Sequence, residues 1–227
     1  KYPENAQKKR SLIAEKKKTK KKKKTGFIGA GSFAQSYLLP NVKSWGSSLD
    51  TVVTSKGISA KNVAEKFGFN KCSSDAGDVL TNNAVNVLFI ATPHASHARY
   101  CISGLKAGKP VFVEKPLAMN YEQLQSVIET KAEHNQALMV GFNRRFAPVS
   151  QEIKTAFQNI TEPLVVNIRV NAGFIPKDHW TQIPEIGGGR IVGEMCHFID
   201  LMQYFTGSEP VKVFAESIDT GNEKQTS

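Results

Sequence analysis

Cysteine is scarce: Cys72, Cys101 and Cys196 form an odd set with no Cys-x-x-Cys pair. That argues against a disulfide scaffold or a structural zinc site and fits a reducing, cytoplasmic setting. No apolar run approaches the roughly 20 residues needed to cross a bilayer, and the first residues are polar rather than a hydrophobic leader, so no membrane association is expected. No internal repeat is visible at any fixed period. Charge imbalance is also missing from most of the chain. Residues 1–25 hold 12 Lys/Arg and 2 Glu, which accounts for the whole net charge of +10, and residues 26–227 carry 18 of each sign. The run Lys16 to Lys24, broken only by Thr19, reads as a self-repelling, solvated linker. A nucleic-acid or localisation patch is the other reading, but the neutral body offers no basic face to continue it, so nucleic acid is not an expected partner.

What remains is ordinary for a globular protein, with 40% hydrophobic and 22% charged residues in 227. This length holds one complete domain and part of a second. From Thr25 the chain alternates between apolar runs and helical periodicity. Strands are expected at the run ending in Phe27-Ile28, at Thr51–Thr54, Val85–Ala91, Val111–Glu114 and Ala137–Gly141. Helices are expected near 60–67, 96–105 and 121–134. Continuous apolar runs such as Val85-Asn-Val-Leu-Phe-Ile-Ala91, alternating with helices, imply a parallel sheet buried on both faces. Past about Arg145 the texture changes to a β-like stretch at Leu164–Asn171, an irregular Pro/Trp loop to Pro184, and the turn Gly187-Gly-Gly189. A helix over Arg190–Phe205, a strand at Val211–Ala215 and a frayed polar end from Asp219 to Ser227 complete the reading. The first strand is puzzling, because the lysine run takes the place of its usual apolar start.

The motif Gly29-Ala-Gly31-Ser-Phe-Ala34 sits between a strand and a helix. In that context Gly29 serves a tight turn, Gly31 lets a pyrophosphate approach the backbone, and small Ala34 lets helix and sheet pack closely. At the end of the second strand, where a carboxylate would bind the ribose hydroxyls of NAD, stand Ser55 and Lys56. A hydroxyl and a cation suit the extra phosphate of NADP, although Lys56 also reads as an ordinary loop lysine. Ala91-Thr-Pro-His-Ala-Ser-His97 lies at the ligand edge of such a sheet. His94 and His97 have no third ligand nearby in sequence, so no metal is expected. In Gly108-Lys-Pro-Val-Phe-Val-Glu-Lys-Pro116 a buried strand ends in charge. Lys115 there reads equally as a group that polarises a substrate oxygen or as half of a sheet-edge ion pair. His197 shares one helix face with Gly193 and Asp200, and reads as a proton acceptor or as a satisfied structural histidine.

In order along the chain these motifs, with Gly141-Phe-Asn-Arg-Arg-Phe146 and Gly187-Gly-Gly189 leading to His197 and Asp200, resemble the glucose-fructose oxidoreductase / inositol dehydrogenase (Gfo/Idh/MocA) family over about residues 25–218. The resemblance implies a Rossmann-type, doubly wound parallel sheet followed by an α/β domain with an open sheet that often mediates oligomers. It implies Lys115 as catalytic lysine and His197 as acid/base. It further implies a cofactor, NADP or NAD, held by Gly29, Gly31, Ser32, Phe33, Ala34, Ser55, Lys56, Ala91, Thr92, Pro93, His97, Glu114 and Lys115. Substrate contacts would come from Lys115, Arg145, Glu194 and His197. The pattern departs at Gly193, where many members carry an Asp; Glu194 comes one residue later, about 100° around a helix. Within the family the chain is most similar to the second module of bi-domain oxidoreductases that begin with a zinc-type alcohol dehydrogenase domain.

The expected architecture is therefore α/β, with a lysine-rich linker at 1–24 that carries the remnant of an upstream domain, a Rossmann domain at 25–144, and a truncated substrate-binding and oligomerisation domain at 145–227. The expected activity is NAD(P)-dependent hydride transfer with a sugar-like or cyclitol-like alcohol or ketone, in a homo-oligomer. A nucleotide-binding module or partner subunit without turnover is the alternative.

Overall fold

The computed structural model describes residues 23–216. The upstream remnant read at residues 1–13, most of the lysine run and the polar end from Asp219 lie outside the described residues.

Six strands build one parallel sheet in the order β3-β2-β1-β4-β5-β6. They are β1 (Lys24–Ile28), β2 (Ser48–Val53), β3 (Lys71–Ser73), β4 (Val87–Ile90), β5 (Val111–Val113) and β6 (Leu138–Val140). Between them run α1 (Leu39–Ser44), α2 (Gly57–Phe67), the short α3 (Gly77–Leu80), α4 (His97–Lys106) and α5 (Tyr121–Glu133). The strand order reverses between β1 and β4, which opens a crevice at their carboxyl ends.

The polar start of β1 now has a physical reason. Lys24 belongs to the strand, one residue before the Thr25 start read from the sequence, and its Nζ lies 3.3 Å from a carboxylate oxygen of Asp50 on β2. Asp50 is only 3% exposed. Burial alone would raise its pKa, but hydrogen bonds from Thr51, Lys24, Asn70 and Asn82 outweigh that and hold it below the ordinary carboxylate value. Gly26 follows because nothing larger fits: a Cβ there would stand 2.3 Å from Val79 of α3. In register across the sheet, Phe27, Phe89 and Phe112 form a stacked row with ring centroids 4.9 Å apart at each step. Such rows add to the burial that dominates the fold.

The helix after β1 contains five π-helical residues, Ala34–Leu38, and then α1. Pro40 lacks the N–H that the Ser36 carbonyl would receive in a regular helix. The ladder shifts instead, and Leu39 N–H donates to the Ala34 carbonyl, five residues back.

Beyond β6 come a 3-10 turn (Asn143–Phe146), α6 (Pro148–Phe157), a 3-10 turn at Trp180–Gln182, a π-helical segment (Ile191–Met195) and α7 (Cys196–Thr206). The strands expected at Leu164–Asn171 and Val211–Ala215 do not form, so no open sheet follows the Rossmann sheet among the described residues. A strand exists only with a hydrogen-bonded neighbour, and these two stretches pair neither with each other nor with the six-stranded sheet. Leu164, Val166 and Ile168 are half-buried, but Val165 is 98% and Val211 99% exposed. No helix among the described residues is long and apolar enough to cross a membrane.

Candidate active site

The crevice at the β1/β4 reversal is the mouth of a cleft of about 1410 Å³, larger than a typical small-molecule pocket and roomy enough for a dinucleotide with a second ligand. Gly29 opens it. Its φ is +86°, and a Cβ there would lie 2.3 Å from the Ala91 carbonyl oxygen, so only glycine fits between the ends of β1 and β4. Its N–H donates to Val53 on β2 at 2.8 Å. Gly31 differs: a Cβ there would meet nothing within 4 Å. That bare backbone, followed at once by a helical turn, is a cradle that fits a pyrophosphate. Ser32 and Phe33 line the same wall, and Ala34 lines it while almost fully buried.

At the end of β2, Thr54 and Ser55 line the cleft, and no carboxylate stands with them. Lys56, expected beside them, is not part of the lining. It is the exposed residue that opens α2, and its carbonyl accepts from the Thr54 hydroxyl.

After β4 come Ala91, Thr92 and Pro93, all at the cleft. His97 is fully buried and pins this loop to the end of β5, with Nδ1 2.7 Å from the Pro116 carbonyl and Nε2 2.7 Å from the Thr92 carbonyl. Both partners are acceptors, so a neutral ring donates to one at a time. Burial leads the effects that lower its pKa, against the pull of the two carbonyls. His94 is also buried, and its Nδ1 lies 2.7 Å from the Gly187 carbonyl. Burial pushes its pKa down to about 4.

At the end of β5, burial pushes the Glu114 carboxyl up to about 7, with the Lys115 charge opposing. The Lys115 ammonium donates to the Gly193 carbonyl at 2.6 Å, across 78 residues of sequence. This contact joins the Rossmann sheet to the π-helical segment. Gly193, His197 and Asp200 share the buried face of that segment and α7. His197 lines the cleft with Nδ1 buried and without a partner among the described residues. Its pKa falls to about 4, first through burial, then through the Lys115 and Arg144 charges.

Two expected substrate contacts are placed otherwise. Arg145 does not line the cleft; its guanidinium makes a two-pronged pair with the Asp200 carboxylate. Its neighbour Arg144 lines the cleft instead, stacked 4.5 Å over the Phe198 ring. The 3-10 turn decides which of the adjacent arginines faces inward, and no signal in Arg-Arg could have told them apart. Glu194 reaches the cleft but is paired with Arg190 at 3.2 Å. Trp180 was missed altogether; it packs edge-on to His94 with centroids 4.8 Å apart.

Residues 23–142 match the Gfo/Idh/MocA family, described as an oxidoreductase family with an NAD-binding Rossmann fold. The chain belongs to this family. It is 29% identical to oxidoreductase P35 of Formosa agariphila over 192 residues, 80% of this chain and 60% of that protein. It is 28% identical to myo-inositol 2-dehydrogenase of Thermotoga maritima over 158 residues, 69% of this chain and 46% of that protein. The chain thus spans about half the length of such relatives. A levoglucosan dehydrogenase solved with NADH and levoglucosan superposes with a TM-score of 0.69 at 23% identity, covering 82% of this chain and 54% of that one, which establishes the shared fold.

Proposed function

We propose that this member of the family binds NAD(P) in the cleft and transfers hydride between the nicotinamide and a secondary alcohol carbon of a sugar-like or cyclitol-like substrate. The observation that carries this reading is the Lys115–Gly193 contact, which puts a cationic donor and the buried His197 ring in one cleft with the Gly29–Gly31 turn. The pyrophosphate would lie on Gly29, Gly31 and the turn that follows, with the ribose side near Ser55. Hydroxyls without a carboxylate at β2 favour NADP over NAD. When bound, the nicotinamide supplies the hydride acceptor. Lys115 would exchange the Gly193 carbonyl for the substrate oxygen and stabilise the charge developing there. His197, neutral at pH 7 because burial and two cations hold its pKa down, is in the form that accepts the hydroxyl proton.

Titration with NADH and NADPH, followed by nicotinamide fluorescence, tests the site. Gly31→Leu has room for its Cβ and should fold, yet lose both nucleotides; binding retained in the variant would remove this turn from the site. Lys115→Ala should keep NADPH binding and lose on the order of a thousandfold in turnover of myo-inositol or levoglucosan. Comparable turnover would remove Lys115 from the mechanism, and nucleotide binding without any hydride transfer in the full-length protein would favour a non-catalytic module.

The division into a linker, a Rossmann domain at 25–144 and a substrate domain from 145, the place as second module of a bi-domain oxidoreductase, and a cytoplasmic homo-oligomer belong to the same proposal. The exposed apolar side chains at Val165, Val211 and Phe214 support a partner surface, which sedimentation of the full-length protein would test.

A further inference from the structure

Four histidines line the cleft, and the structure distinguishes them by what their nitrogens can still do; the exposed His179 uses its Nδ1 on the Thr181 hydroxyl and N–H. His97 spends both on carbonyls. His197 has its Nδ1 buried with no partner among the described residues. His94 is different. A carbonyl only accepts, so the 2.7 Å contact with Gly187 requires Nδ1 of His94 to carry the proton. In a neutral ring this makes Nε2 a lone-pair acceptor, and Nε2 has no hydrogen-bond partner among the described residues. Several contacts hold the ring in place. Trp180 packs against its edge, the adjacent Ala95 N–H donates to the Ile186 carbonyl at 3.0 Å, and Gly193 lies under it so closely that a Cβ there would be 3.0 Å from Cε1. Gly193 is also the residue whose carbonyl receives Lys115. A fixed cationic donor and a fixed neutral acceptor therefore converge on one backbone position.

We propose that His94 is a substrate-binding residue that reads a vicinal diol: its Nε2 accepts the O–H of the hydroxyl next to the one polarised by Lys115. This rests on the hydride-transfer reading above and adds the feature that would set an alcohol's acceptability. A monohydric alcohol satisfies Lys115 alone and forgoes the hydrogen bond to the His94 acceptor, and a site built to hydrogen-bond a group discriminates against an analogue lacking it. Burial keeps the ring neutral, with a pKa near 4, and so keeps Nε2 an acceptor at pH 7. Gly193 is the enabling residue, since a side chain there would have to displace the ring.

Two measurements decide it, one of binding to the NADPH complex and one of turnover with NADP⁺ as the hydride acceptor. In ¹⁵N-histidine NMR, the resonance lost in His94→Gln should report an unprotonated Nε2 at pH 7 and should move when myo-inositol is added. A protonated Nε2, or a resonance that myo-inositol leaves still, overturns the proposal whether or not the protein oxidises anything. In steady-state kinetics, the ratio of kcat/KM for cis-cyclohexane-1,2-diol to that for cyclohexanol should fall by about tenfold or more in His94→Phe, the equivalent of one hydrogen bond. Gly193→Ala should show the same fall. The ratio cancels any general loss of activity, so an unchanged ratio in both variants overturns the proposal. A shifted resonance with no oxidation of either probe would sink the reaction of the preceding subsection while supporting this contact.

Discussion

The two halves of the chain are held together by different means. In residues 23–142 every strand has a partner and the buried apolar side chains form clusters on the sheet's two faces. In residues 143–216 no strand forms, α6 has no buried residue, and Phe198 is the one buried hydrophobic among the described residues. The second half is fastened chiefly by polar contacts: Arg145 to Asp200, Lys154 to the Phe205 carbonyl, Lys115 to the Gly193 carbonyl and His94 to the Gly187 carbonyl. The last two reach back into the Rossmann sheet's ligand edge. A self-sufficient core therefore carries the cofactor turn, and a dependent segment supplies His197.

Phe27→Ala strikes the core that the comparison treats as independent. It removes the middle of an aromatic cluster with Phe89 and Phe69 and should cost about 3–5 kcal/mol. Both halves should melt together in a urea titration followed by hydrogen exchange. Protection of α7 that outlasted the sheet would break the claim of dependence. Asp200→Ala acts on the other half. Allowing for solvent screening at the partly exposed Arg145, it should cost about 1–2 kcal/mol. The loss should be seen as faster exchange in α6 and α7 with the sheet unchanged, and an equal loss of protection in β1 would merge the halves into one unit.

The cleft between them gives a pH signature. Unfolded, His94 and His197 take up protons near pH 6.5, whereas burial in the folded protein delays them to about pH 4. Acidification through that window favours the unfolded state, and His97 acts in the same direction. Glu114 opposes them. Burial raises its pKa to about 7, so its contribution is full below the unfolded value of 4.5 and is lost as pH rises to 7. Glu114→Gln removes that opposition and should steepen the acid loss of stability by up to about 1.4 kcal/mol per pH unit between 4.5 and 6.5. Urea midpoints across that range measure it, and an unchanged slope would mean that Glu114 is solvated.

The same contrast explains what could be read in advance. Runs such as Val87–Ile90, buried in the sheet, and the Gly29–Ala34 turn announce themselves because burial on both faces and a forbidden Cβ leave few residue choices. β3 escaped notice: Lys71-Cys-Ser73 is a three-residue edge strand, largely exposed, with no apolar pattern to betray it. At Leu164–Asn171 the β-like pattern was present but the partner strand was not, and pairing is a property of two segments. In the site, Lys115 and His197 were visible in sequence. The inward turn of Arg144, the docking of the Gly187 turn on His94 and the edge of Trp180 depend on contacts between residues far apart in the chain.

Trp180 leaves the protein with an optical consequence. The chain has two tryptophans. Trp45 stands at the outer end of α1, 76% exposed, while Trp180 stands in the cleft, 37% exposed and against His94. Their emissions should separate by solvent access: iodide should quench Trp45 more strongly, and a reduced nicotinamide in the cleft should draw chiefly on Trp180. The protein thus carries an internal reference lamp and a cleft-side one, and their ratio follows occupancy without any label.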